Sequence, residues 1–95
     1  MLKGGKILRK TGQAAPTFPE LRALMAKYGK TQLDMGKVTG TTYITYGKKL
    51  NNEADFSMSD MLKIRTYFIN LGEDPEELTM ERLFFAWKNH NSEEA

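Results

Sequence analysis

The chain has 95 residues, of which 40% are hydrophobic and 27% charged, with no cysteine, one histidine and a formal net charge of +2. This length and composition predict one globular domain with a modest core and exclude disordered, fibrous and disulfide-stabilised classes. The longest apolar run, residues 83–87, is too short to cross a bilayer. We therefore expect a cytoplasmic protein that does not contact a membrane.

The chain opens with an arm and a first helix. Residues 1–16 hold three glycines and four basic side chains, which is typical of a flexible arm that either follows a DNA groove or is a disordered leader. Thr17 then caps a helix that begins at Phe18 or Pro19 and ends at Gly29. Its apolar residues share one face and are Leu21, Leu24, Met25 and Tyr28.

Two short helices follow between residues 31 and 51. Thr31 caps the second helix and Gly40 ends it, since glycine tolerates a positive φ. The third helix begins near Thr42 and runs to about Asn51. The bulky side chains of this pair are Met35, Val38, Ile44, Tyr46 and Leu50.

Two more helices are predicted in the acidic second half. Phe56 and Met58 are expected to pin the turn 52–55 to the core, and a fourth helix is expected to start at Ser59 and to close at residues 71–72. Asp74, followed by Pro75, predicts the start of a fifth helix.

The terminal stripe of the fifth helix has two interpretations, a core face or the seam of a homodimer. It consists of Met80, Leu83, Phe84 and Trp87. Residues 91–95 are expected to be a disordered tail. The fold class is thus all-α, a compact bundle of about five short helices over residues 17–90.

The most informative segment is TQLDMGKVTGTTYITYGKKLNN, residues 31–52. Gly36 stands where the second helix must pass close to the third, and Gly40 follows it after four residues. Together with the loop and FSMSD of residues 56–60, this order resembles the lambda-repressor-like (Cro/Xre) family of small phage and bacterial regulators. The resemblance covers roughly residues 18–86 and implies a helix-turn-helix.

By position, the resemblance implies that the third helix lies in the major groove of DNA. Thr42 and Tyr43 would then face base edges or the adjacent backbone, with Thr45, Gly47 and Lys48 on the same outer surface. Backbone contacts are implied for the remaining candidates, which are Lys30, Gln32, Lys49 and Asn51.

Several of these residues also have a purely structural interpretation. Gln32 has an equal interpretation as a cap of its helix, and Lys49 has one as a solvated lysine. Ile44 either contacts a thymine methyl or rests on the first helix, whereas Tyr46 and Leu50 are expected in the core. The chain departs from the family at Thr39 and Thr41, where apolar residues are usual, so the turn should bury less apolar surface.

The sequence offers nothing convergent for catalysis, metal binding or a cofactor. His90, the single histidine, stands in a polar tail, and no glycine-rich phosphate loop is present. Before residue 50 there are ten basic and two acidic side chains, an asymmetry that suits a polyanion.

We therefore expect a non-enzymatic regulator of a phage or prokaryote that binds operator DNA as a homodimer. The alternative is a protein-interaction module of the anti-repressor type, which uses the same fold without tight DNA binding. A single-stranded nucleic-acid platform and an enzyme are both disfavoured.

Overall fold

The computed structural model describes residues 17–86, and the predicted arm 1–16, the tail 91–95 and residues 87–90 lie outside these. It contains α1 (Pro19–Lys27), α2 (Gln32–Thr39), α3 (Tyr43–Leu50) and α4 (Met58–Leu71), followed by a π-helical segment, Glu81–Phe85. No strand occurs among the described residues, so the predicted all-helical class with five short helices is confirmed.

The first helix starts differently from the prediction. Phe18 is the N-cap, with φ 50° and ψ 59°, and no side chain caps the helix. The Thr17 hydroxyl donates instead to the carbonyl oxygen of Leu50, at the end of α3. The predicted Thr17 cap is wrong because the hydroxyl is engaged by a distant segment. The predicted end is confirmed, since Gly29 follows the helix with φ +64°.

The fourth helix begins two residues earlier than predicted. Ser57 is its N-cap, and the Ser57 hydroxyl and the Asp60 carboxylate each accept a hydrogen bond of 3.0 Å from the other's backbone N–H. This reciprocal capping box needs the carboxylate three residues after the cap, which excludes a start at Ser59. Phe56 is buried as predicted, whereas Met58 is 59% exposed and does not pin the turn.

The predicted fifth helix does not start at Asp74. The Arg65 guanidinium on α4 donates to the carbonyl oxygens of Leu78 (2.6 Å) and Pro75 (2.8 Å). Those carbonyls would accept the i+4 hydrogen bonds of a helix starting at Asp74, so only one turn forms there. Thr79 then opens the last segment, its hydroxyl accepting from the Arg82 backbone N–H at 3.1 Å.

Three aromatic rings from separate segments hold the ends of the fold together. Phe56 lies with its ring centroid 5.2 Å from that of Phe18 and 5.5 Å from that of Phe84. Leu83 and Phe84 are almost fully buried, so this part of the terminal stripe belongs to the core and not to a dimer seam. Met80 packs against the core, and Trp87 lies outside the described residues.

The remaining core fills the space between α1, α2, α3 and α4. Its other buried hydrophobic residues are Leu21, Leu24, Met25, Met35, Tyr46, Leu50, Ile64, Phe68 and Leu78. The predicted core positions Tyr46 and Leu50 are therefore confirmed, and they anchor one side of α3. Each helix of residues 17–86 falls short of the length and apolarity that a membrane span requires.

Candidate nucleic-acid interface

The connection between α2 and α3 is built from local capping signals. Thr31 caps α2 in a reciprocal capping box with Asp34. Gly40 ends α2 with φ +76°, and Thr42 caps α3 by accepting a hydrogen bond from the Thr45 backbone N–H at 3.2 Å. The predictions for Thr31, Gly40 and Thr42 are confirmed. Three residues, 40–42, separate the two helices; Gly40 is in the left-handed conformation and Thr42 is extended.

α2 and α3 meet at Gly36. A Cβ at this position would lie 2.9 Å from the Thr42 carbonyl carbon and 3.1 Å from the Thr41 carbonyl oxygen. These are backbone atoms of the turn, so even alanine is too large at this position. The Thr41 backbone N–H also donates to the Gly36 carbonyl oxygen at 2.7 Å. The close approach sets the position of α3 relative to α2.

The two threonines of the turn replace apolar packing with hydrogen bonds. Thr39 is 6% exposed, and its hydroxyl lies within hydrogen-bond distance of the carbonyl oxygens of Met35 (3.1 Å) and Gly36 (3.2 Å). The Thr41 hydroxyl donates to the Thr42 carbonyl oxygen. A buried hydroxyl that is hydrogen-bonded carries little of the desolvation cost of an unpaired one. The turn therefore tolerates both threonines.

One side of α3 is turned to solvent. Tyr43 is 53% exposed and Ile44 is 55% exposed. Ile44 is therefore not part of the core, and its contact with a thymine methyl stays a prediction. We call this surface the α3 outer face; it consists of Thr42, Tyr43, Ile44, Thr45 and Lys48, of which only Thr45 is half-buried.

Gly47 does not lie on the α3 outer face, contrary to the prediction. It is buried, and the side-chain amide oxygen of Gln32 lies 2.6 Å from the position that its Cβ would take. Gln32 itself is exposed at the first position of α2. The Gln32 amide therefore occupies the space that a side chain at position 47 would take. Gln32 thus contacts α3, and it is neither a cap of α2 nor a surface residue without contacts.

Lys49 has a different partner from the expected phosphate. Its ammonium lies 2.6 Å from the Asp60 carboxylate, and the two side chains are 17% and 8% exposed. Burial by itself raises the pKa of Asp60, but the Lys49 hydrogen bond, the Ser57 backbone N–H and the Lys49 charge together hold this pKa below its usual value. Lys49 thus links α3 to α4 through an ion pair, and its contact with DNA stays a prediction.

Asn51 lies exposed at the C-terminal cap of α3 and is tied to α1. The Arg22 guanidinium donates to its amide oxygen at 2.8 Å and to the Thr17 carbonyl oxygen at 2.6 Å. This places a second cation, which sequence analysis did not select, at the end of α3. From the sequence, Arg22 is only the residue after Leu21, at the edge of the apolar face of α1. That position gives no sign of a contact with Asn51.

Lysines surround the α2–α3 unit. Lys48 and Lys37 are exposed, and Lys30 is half-buried with its ammonium 5.7 Å from the centre of the Tyr67 ring. Among residues 17–52, the only acidic side chains are Glu20 and Asp34. The Asp34 carboxylate accepts a hydrogen bond from the Thr31 backbone N–H in the capping box of α2. Most acidic residues follow residue 52, which leaves this half of the described chain basic.

Residues 17–86 contain no group of three side chains of the metal-ligating types close enough to share an ion. Comparison of the chain with family models, with curated proteins and with solved structures gives no match.

Proposed function

We propose that this protein is a helix-turn-helix regulator of the lambda-repressor-like type that binds double-stranded DNA with α3 in the major groove. The observation that supports it most is the two-sided character of α3. Tyr46 and Leu50 hold one side in the core, while the opposite side presents Ile44 and Lys48 to solvent and the first residue of the helix, Tyr43, is also exposed. An α-helix presented in this way fits a major groove about 12 Å wide.

The proposed contacts divide into two kinds. The first turn of α3 supplies the base contacts, since N-terminal residues of such a helix face base edges. We assign phosphate contacts to the at least partly exposed side chains Lys48, Lys30, Gln32 and Asn51. Neutralisation of phosphates by the lysines would supply salt-dependent affinity. Lys49 contributes indirectly by holding the end of α3 against α4.

Regulation would follow from binding alone. Occupying an operator blocks or assists polymerase, and neither catalysis nor a cofactor takes part in this mechanism. We propose that a homodimer binds a two-fold operator in the cytoplasm of a prokaryotic or phage-infected cell. The dimer gives affinity and selectivity that one short half-site contact lacks.

The test is binding to random and genomic duplex fragments at two salt concentrations. We expect Tyr43→Ala to lose selectivity for the preferred sequence, because the side chain is on the α3 outer face and not in the core. Lys48→Ala should weaken binding to all sequences and reduce the slope of log affinity against log salt by about one.

A matched lysine on another helix serves as the control. Lys63→Ala removes an exposed lysine on α4, away from the α3 outer face, and should leave binding and its salt slope unchanged. Binding no better than to non-specific DNA at low salt would refute the proposed function.

The second candidate, a protein-interaction module, is supported by the same apolar exposure. Leu33 on α2 is 54% exposed, close to the values of Tyr43 and Ile44, and protein interfaces use such side chains. This candidate predicts that Tyr43→Ala weakens a 1:1 complex with another regulator, while the affinity for DNA is low in the wild type and in Tyr43→Ala.

A further inference from the structure

α3 lacks most of the side-chain types that form specific hydrogen bonds with bases. Its sequence, YITYGKKL, contains no Arg, Asn, Gln, Asp or Glu. These side chains make most of the specific hydrogen bonds to guanine, adenine and cytosine edges in the major groove. The two lysines come at the C-terminal end of the helix, and Lys49 is held by Asp60. The first turn of α3 is therefore poor in the groups that recognise three of the four bases.

Two polar side chains near the first turn, those of Thr42 and Gln32, are already engaged. The Thr42 hydroxyl accepts from the Thr45 backbone N–H and donates to the Thr45 hydroxyl, both at 3.2 Å. The Gln32 amide oxygen is seated against Gly47. Moving Thr42 away from its partners would give up the cap of α3, so a base contact made by Thr42 would be offset by a loss of helix stability.

What the first turn does offer is apolar surface. Tyr43 and Ile44 are adjacent in sequence and more than half exposed, at the N-terminal end of the helix. In the major groove, only thymine presents a methyl group, and apolar side chains are its natural contacts. Lys48 lies four residues after Ile44 and therefore on the same side of the helix, which adds a cation that favours a polyanion over an apolar partner.

From this combination we infer that α3 selects DNA chiefly through thymine C5-methyl groups, with Tyr43 and Ile44 each covering one methyl of the half-site. The inference rests on the proposed DNA binding and names its specificity. It assigns Ile44, which the resemblance did not place among the contacts, a direct role in recognition.

The experiment starts from the duplex that the wild-type protein prefers in a random library. Each thymine of that duplex is then replaced singly by deoxyuridine, which removes the methyl group and preserves base pairing and the O4 acceptor. Burial of one methyl is worth about 0.8 kcal/mol, so we expect about a fourfold loss of affinity at each contacted thymine. Thymines outside the contacts serve as internal controls and should show no loss.

Two protein variants assign the contacts. With Ile44→Ala, the uracil penalty should vanish at one thymine and persist at the other; with Tyr43→Ala, the pattern should reverse. Both residues are exposed, so circular dichroism and thermal unfolding should show that both variants keep the wild-type fold. Lys48→Ala is the matched control, since it should lower all affinities and leave each uracil penalty unchanged.

The outcomes separate this inference from the proposed function. Selective binding that tolerates uracil at every position would refute methyl recognition and leave DNA binding intact. Uracil penalties that persist unchanged in both alanine variants would likewise refute it. Loss of all selective DNA binding, or a tight complex with a protein partner instead, would refute the proposed function and the inference together.

Discussion

Gly36 and Gly47 both lie in close contacts of the α2–α3 unit, but the atoms around them differ. At Gly36, a Cβ would meet the backbone of Thr41 and Thr42, which is fixed by the turn. At Gly47, it would meet the far end of the Gln32 side chain. Backbone atoms move only with the helix, whereas a flexible side chain can change rotamer. Similar distances therefore predict opposite effects on stability.

For Gly36→Ala, we expect the free energy of unfolding to fall by about 1–2 kcal/mol. Overpacking costs about 1–3 kcal/mol, and the better helix propensity of alanine returns up to about 1 kcal/mol. For Gly47→Ala, the propensity gain should remain, so stability should rise by up to about 1 kcal/mol while Gln32 is displaced. Urea unfolding of both variants and the wild type measures the differences.

Equal destabilisation by the two alanines would contradict this difference between backbone and side-chain contacts. A useful second control is Gln32→Ala combined with Gly47→Ala. Because the clash at Gly47 involves only the Gln32 side chain, the Gly47→Ala gain should be at least as large in the Gln32→Ala background.

At these positions, the sequence predicts those contacts that depend on residues a few positions apart in the chain. The close approach at Gly36 was predictable from a glycine four residues before the turn. The burial of Gly47 was not, because it depends on the side chain of Gln32, fifteen positions earlier. The ion pair of Lys49 was not predictable for the same reason, since its partner Asp60 is on another helix.

At the scale of elements, the Lys49–Asp60 ion pair connects the end of α3 with the start of α4. The Asp60 carboxylate also accepts from the Ser57 backbone N–H, so one side chain caps α4 and binds α3. Removing Lys49 would leave the Asp60 side chain, which is 8% exposed, without its cation. An uncompensated buried charge costs more than the ion pair itself contributes.

We expect Lys49→Met to lower the free energy of unfolding by about 2 kcal/mol at pH 7, since hydrogen bonds to charged groups contribute about 1.5–3 kcal/mol. The pKa of Asp60 is lowered in the folded protein, so the ion pair's stabilisation is complete above the usual Asp value of about 3.9 and is lost as pH falls through the folded pKa. The difference between wild type and Lys49→Met should thus shrink in acid, as urea unfolding from pH 7 to pH 3 would measure.

Lys48→Met is the matched control, because Lys48 is next to Lys49 in the chain but is exposed and outside this ion pair. It should unfold like the wild type at every pH and bind DNA more weakly. A Lys49→Met difference that stays constant from pH 7 to pH 3 would show that lost packing, not charge, causes the destabilisation.

The helix boundaries show where local signals suffice. Thr31, Gly40 and Thr42 act within three or four residues of the chain, so their positions were predictable from sequence alone. The fifth helix was misplaced because Arg65 takes the carbonyl oxygens that a helix from Asp74 would use. An arginine nine residues upstream of Asp74 gives no sign of that contact before the fold is known.

At the scale of the whole molecule, the length of α3 limits what one copy can recognise. Eight residues extend for about 12 Å, which matches only three or four base pairs at about 3.4 Å each. If recognition rests on thymine methyls, each copy gains about fourfold per methyl, too little to select one operator in a genome. Two copies on a two-fold site multiply these gains, which is why we propose a homodimer.

This proposal predicts two protomers on each operator, with half-site centres about 34–36 Å apart along one side of the duplex. Inserting about 5 base pairs between the half-sites rotates one of them to the opposite side, so affinity should fall toward that of a single half-site. Inserting about 10 base pairs restores the side and changes only the distance, so it separates rotation from spacing. Analytical ultracentrifugation gives the stoichiometry, and titration gives the affinities. One protomer per duplex at saturation, with no dependence on spacing, would mean that a single α3 supplies all the selectivity.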